Sequence, residues 1–233
     1  MSRITRKELK SDRFALEVEH TVTFFEEHRQ DLIRYGGIAI AAIVLVVGFF
    51  IYRGHQRVIR QEALTQAIQV QEAPVAPPSP TGGLSFPTQQ AKDSEAIRVF
   101  TALKNQYPGS AEAQIAEYYL GAIAADEGKL AEAEKSFLQV VQHADEPYVS
   151  LARLSLSQIY FSDGRNSQAE AVLRDLIAHP TAFVSQDQAT LMLARYLITK
   201  NPAEARKLLQ PLTTVPGTVG QLALTMSGEL MQK

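Results

Sequence analysis

Residues 35–52 (YGGIAIAAIVLVVGFFIY) form an uncharged run between Arg34 and Arg53, and no other stretch constrains the fold so strongly. At a helical rise of about 1.5 Å per residue the run extends about 27 Å, close to the hydrocarbon thickness of a bilayer. Its residues are apolar on every face, so a helix here needs an apolar environment all round. Lipid supplies that environment without a partner protein, whereas the rest of the chain is too small to enclose the run as a core helix. The run reads as a single membrane span.

The flanks describe what kind of span. A long, mostly polar stretch precedes it, and Arg53-Gly54-His55-Gln56-Arg57 stands where a signal peptide would be cleaved, so an uncleaved anchor is expected. Gly37 and Ala41 form a small-xxx-small pair, a spacing that lets a second helix approach and so allows a homo-oligomer. Arg29 and Arg34 before the span nearly balance Arg53, Arg57 and Arg60 after it. Arg3, Arg6, Lys7, Lys10 and Arg13 tip the count toward a cytoplasmic amino terminus. Within the tail, Phe14, Val18, Val22 and Phe25 share one helical stripe, which suits a membrane surface, a partner, or simply a lead-in to the anchor.

Composition removes whole classes of chemistry. The formal net charge is −2, so nothing favours nucleic acid as a partner. There is no cysteine, which excludes disulfides, thiolate metal sites and cysteine nucleophiles. The chain has no phosphate-binding glycine loop, no HExxH and no SxxK. Glu17-Val18-Glu19-His20 has the ExxH spacing of a di-iron ligand pair but lacks the second copy such a site requires. No catalytic residue, metal site or cofactor is expected.

Beyond the span the expected organisation is a juxtamembrane helix over residues 53–73, a proline-rich spacer over 74–91 and a repeat domain over 92–233, with residues 1–34 as the polar tail. The first repeat is split, its leading helix at about residues 61–71 and its trailing helix after the spacer. Pro74, Pro77 and Pro80 give overlapping PxxP spacings, which suit either a stiff stand-off spacer or a ligand for an aromatic-lined groove. From Lys92 onward the pattern is helix, short turn, helix. Ala96, Phe100 and Leu103 recur as Ala133, Phe137 and Val140, then Ala169, Leu173 and Leu176, then Ala205, Leu209 and Leu212. The preceding helices recur in step as Leu120-Gly121, Leu156-Ser157 and Met192-Leu193, and Gly128 and Gly164 mark matching turns. The period is about 36 residues, that of a helical-hairpin solenoid. Small residues let paired helices sit close, and stacking neighbours buries faces that one hairpin leaves open. The expected fold is all-α: one transmembrane helix followed by a helical-hairpin solenoid.

At Leu120-Gly121, Ala124, Gly128, Ala133 and Phe137, and again at Ala96, Phe100, Leu103 and Pro108, the chain resembles the tetratricopeptide repeat family. It departs from the family pattern where Glu117 and Arg153 replace the usual tryptophan. The resemblance implies a concave groove, and its positions fall on Tyr118 and Ala122, on Leu154, Gln158 and Phe161, and on Thr190, Ala194 and Leu197. From these, Tyr118, Leu154, Gln158, Phe161, Ala194 and Leu197 are the candidate partner-binding residues, suited to an apolar segment. The lysine and asparagine clamp of some family members is missing. Whether the groove is open or filled by the final helix, residues 218–232, stays undecided at this level.

The order of parts, a tail containing Thr23-Phe24-Phe25-Glu26-Glu27-His28, one span starting at Gly36-Gly37 and a repeat domain after it, is similar to the YfgM-like ancillary subunits of the bacterial Sec translocon. That resemblance implies a single-pass inner-membrane protein with a periplasmic repeat domain. Its implied partners are translocon subunits, periplasmic chaperones and secreted clients, besides the membrane lipid itself. A structural scaffold for another envelope complex, in cell division or secretion, is the alternative.

Overall fold

The computed structural model of the chain describes residues 29–77, 83–146 and 148–231. The tail stripe and the ExxH spacing lie outside the described residues. So does Pro80, the last proline of the PxxP series. The chain divides into two compact units, Met1–Ile59 and Arg60–Lys233.

Helix α1, Arg29–Glu72, opens the described structure. From Arg34 to Glu72 it is long and apolar enough to cross a membrane, with a mean hydropathy of 2.3 in its most apolar window, none of which is buried. Ile43, Leu45 and Phe50 are all exposed.

The second unit is built from helices alone, with one isolated bridge, among the described residues. After the end of α1 come α2 (Gln89–Gln106), α3 (Ala111–Asp126), α4 (Leu130–His143), α5 (Tyr148–Ser162), α6 (Asn166–Ala178), α7 (Gln186–Lys200) and α8 (Pro202–Leu209). A 3-10 turn, Gln210–Thr214, leads to α9, Thr218–Met231. Local sequence sets the boundaries. Thr88, Ser110 and Ser185 each accept a hydrogen bond from the backbone N–H three residues on, at 3.1 Å, and so start α2, α3 and α7. Gly128 and Gly164 both take φ of 77°, as the repeated turn requires. Each turn is then closed by a backbone bond, from Lys129 to Ala124 at 2.8 Å and from Arg165 to Tyr160 at 2.7 Å.

The recurring small-large-large triads are the spine of the unit. All twelve side chains of the four triads are buried. Gly121 explains its own place in the pattern: a β-carbon there would come within 3.0 Å of the Phe137 ring. The larger faces are held by burial and the edges by charge. Arg165 donates to both oxygens of Glu134, at 2.6 and 2.7 Å, tying the turn after α5 back to α4. The two residues at the family's tryptophan position also form ion pairs. Glu117 is buried with Lys104 Nζ 2.7 Å from its Oε2, a close charge pair without hydrogen-bond alignment. Arg153 meets Asp175 at 3.0 Å on the exposed side.

Two expectations need correction. The domain boundary drawn at residue 74 cuts through the first hairpin, whose leading helix the sequence places at about residues 61–71. Ala67 and Val70 of α1 share a buried cluster with Ala96, Phe100 and Leu103 of α2 and Ala116 and Ile123 of α3. Arg60 adds an ion pair to Glu112 of α3 at 3.0 Å. Residues 74–77 and 83–88 therefore lie between the two helices of a first hairpin. The two segments are pinned by a parallel bridge between Val75 and Phe86, with Ala76 N–H donating to Phe86 O at 2.9 Å and Phe86 N–H to Pro74 O at 3.1 Å. Phe86 also packs on the same cluster.

The second correction is the register of α7. Gly121 and Ser157 occupy the tight helix-packing position of α3 and α5, and the regular period assigns Leu193 to that position in α7. Leu193 and Ala194 are both fully buried. The pocket-lining residues Met192, Arg195 and Thr199 of α7 follow Ser155, Gln158 and Ser162 of α5 by 37 residues instead of 36, a slip of one that carries the Ser157 position to Ala194. The turn after α7 absorbs the slip. Where three residues join α3 to α4 and α5 to α6, Asn201 alone joins α7 to α8. Asn201 caps α8 through its side chain, accepting from Glu204 N–H at 3.3 Å, with Pro202 in the first turn. The triad on α8 thus stays in step while α7 is displaced by one residue.

Candidate interaction groove

Helices α3, α5 and α7 are the first members of successive hairpins, and two pockets lie between them. The first, of about 350 Å³, is lined by Ala122, Ala125 and Asp126 of α3 and by Ser155, Gln158 and Ser162 of α5, with Phe137 and Ile159 beneath. The second, of about 450 Å³, is lined by Gln158 and Phe161 of α5 and by Met192, Arg195, Tyr196 and Thr199 of α7. Gln158 belongs to both, so the pockets are neighbours along one groove. Helix α9 contributes to neither; it packs on α7, α8 and the 3-10 turn and closes the end of the array. The question left open by the sequence is settled for these two pockets: the final helix does not fill them.

The expected groove residues fare unequally. Gln158 is exposed and Phe161 partly so, and both line the second pocket. Tyr118 is half-buried in an aromatic cluster, its ring centroid 5.7 Å from Phe137 and 5.5 Å from Tyr148. Burial pushes its phenol above the usual range, opposed by a hydrogen bond with Ser155. Leu154 is a core residue at 6 % exposure. Ala194 and Leu197, at 0 % and 2 %, are also core residues and cannot touch a ligand, as the slipped register of α7 dictates. Thr190 is buried for the same reason. The residues that replace them, Met192, Arg195, Tyr196 and Thr199, were missed because a fixed period was carried into α7. The series Gly121, Ser157, Ala194 held the signal, since only a small residue fits where paired helices touch.

The groove is consequently more polar than expected. Phe161 and Tyr196 stack face to face at 3.5 Å and form its most apolar surface. Gln158 Nε2 and Ser157 Oγ approach the Met192 sulfur at 3.7 and 3.6 Å, weak contacts that bring α7 against α5. Asp126 and Arg195, one at each pocket, have no ion-pair partner among the described residues. At one edge Tyr148 continues the aromatic cluster to Phe183, 5.7 Å away and 46 % exposed. Burial, reinforced by neighbouring Tyr119, pushes the Tyr148 phenol up to about 12, so it stays protonated at physiological pH. Among the described residues no three side chains come together as metal ligands.

Stacked hairpins with an open groove along their first helices define a helical-repeat scaffold, a fold that typically binds other proteins and is not itself catalytic. A family model described as a tetratricopeptide repeat-like domain matches residues 24–190, and the chain belongs to that family. No curated protein matches the chain.

Proposed function

We propose that this protein is a membrane-anchored protein-interaction module, with residues 35–52 as a permanent single-pass anchor and the groove across α3, α5 and α7 as its binding surface. The observation that carries the reading is the groove itself: two adjoining pockets, unfilled by any described part of the chain, in a fold built to present such a surface. Anchoring is supported by the complete exposure of the apolar window of α1, which has no described partner to cover it. A tether of this kind raises the effective concentration of the binding surface at the bilayer without adding a contact. No catalytic role is assigned to it.

The order of parts supports a finer reading. The module sits in the bacterial inner membrane with its amino terminus cytoplasmic and its repeat domain periplasmic, beside the Sec translocon, and passes emerging proteins to periplasmic chaperones. Co-purification of translocon subunits from mild detergent is the expected result; their repeated absence would sink this finer reading. Protease added to spheroplasts should digest the repeat domain, and protection would overturn the orientation. A second reading, a scaffold for another envelope complex in cell division or secretion, is favoured by the unpaired charges in the groove. They suit one defined partner better than a range of apolar clients.

A further inference from the structure

The two pockets differ in sign. Asp126 gives the first a carboxylate and Arg195 gives the second a guanidinium, and both side chains are exposed and lack an ion-pair partner among the described residues. Gln158 stands where the pockets meet, exposed, with an amide that can both donate to and accept from a peptide backbone. Packed helices lie about 8–10 Å apart, so Asp126 on α3 and Arg195 on α7, with α5 between them, are separated by about 16–20 Å. An extended chain covers that distance in about six residues, an even number that keeps both side chains on one face. Beside Arg195 the stacked Phe161 and Tyr196 offer a flat apolar face to the stem of a side chain bound there.

Resting on the interaction-module reading, we propose that the groove selects an extended polypeptide segment carrying a basic and an acidic side chain about six residues apart. The basic one enters the pocket at Asp126, the acidic one meets Arg195, and Gln158 holds the backbone between them. The pattern excludes an apolar transmembrane segment, which would leave both charges without a counterpart. It equally excludes polyanions, which Asp126 would repel.

The test uses the full chain in lipid nanodiscs and fluorescein-labelled nonapeptides with one lysine and one glutamate six residues apart, in both orders. A control peptide has serine at both positions, and a second has leucine. Fluorescence anisotropy should show one charged order binding at least about fivefold more tightly than the serine control, the sum expected of two exposed pairs. Asp126→Asn and Arg195→Gln should each remove about threefold of that preference, and the effect should shrink at 0.5 M salt. The double reversal Asp126→Lys with Arg195→Glu should invert the preferred order. Both residues are exposed, so circular dichroism should report unchanged helicity in every variant.

Charged peptides binding no better than serine would overturn the proposal, as would a preference that survives both neutral substitutions. If the leucine peptide alone binds, the charge rule is wrong while the interaction module stands. If no peptide binds and mild-detergent co-purification also yields no partner, the module reading itself fails.

Discussion

Residues 35–52 and residues 60–72 lie on one helix, α1, and differ in what surrounds them. In the first stretch large apolar side chains are exposed all round. In the second only one stripe is buried, with Ala67 and Val70 inside and Arg60 turned to Glu112. Backbone geometry is the same; the apolar solvent is not. One stretch finds no apolar surroundings among the described residues, whereas the other finds them in α2 and α3. Helical propensity therefore says little about either stretch, and the arrangement of apolar residues around the axis says nearly everything.

The largest effect should come from the packed side. Phe137→Ala should cost about 3–5 kcal/mol, because the fully buried ring leaves a cavity against Gly121. Thermal unfolding of the full chain should show the loss, while flotation with liposomes stays unchanged. The converse substitution is Ile43→Arg, expected to cost about 2.5–3.5 kcal/mol of insertion. It should lower the membrane-bound fraction after carbonate extraction and leave the unfolding midpoint of the repeats alone. A lowered midpoint instead would mean that α1 packs against protein, and the contrast between the two stretches would collapse.

Smaller effects sharpen the packed side. Gly164→Ala should destabilise by about 1–2 kcal/mol, since φ of 77° is left-handed. Gly228→Ala should stabilise by about 0.5–1 kcal/mol, because it lies within α9 with nothing near its would-be β-carbon. Opposite signs in urea denaturation of the two glycine variants are the expected outcome. The smallest effect is electrostatic. Hydrogen bonding to Arg165 lowers the Glu134 carboxyl below its ordinary 4.5. A depressed folded-state value means the pair stabilises above pH 4.5 and that this is lost as pH falls through the lower folded-state value. Glu134→Gln should therefore melt lower than the parent at pH 7, by less than about 1 kcal/mol, and the gap should close in acid.

Most of the fold was legible because each recurring residue has one physical task. Ala133, Ala169 and Ala205 must be small, Phe137, Leu173 and Leu209 must fill the space, and Gly128 must turn left. The groove was less legible, because its residues answer to a partner that leaves no periodic trace. Gln158 and Phe161, positions that the family resemblance implies, do line a pocket. Arg195 and Tyr196 are not among those positions, since a one-residue slip moves a position by about 100° around a helix. The proline-rich loop misled for a related reason. Its composition reads as a boundary between domains, whereas its Phe86 packs on the core of the first hairpin.

The Val75–Phe86 bridge gives that loop a neck. Chain length beyond a closed neck enters the free energy only logarithmically, with each doubling costing about 0.6 kcal/mol. The first hairpin is thus the place where the array tolerates foreign cargo. An epitope or a fluorescent domain spliced near residue 80 would report on the protein in a living cell while every helix of the repeat unit keeps its seat.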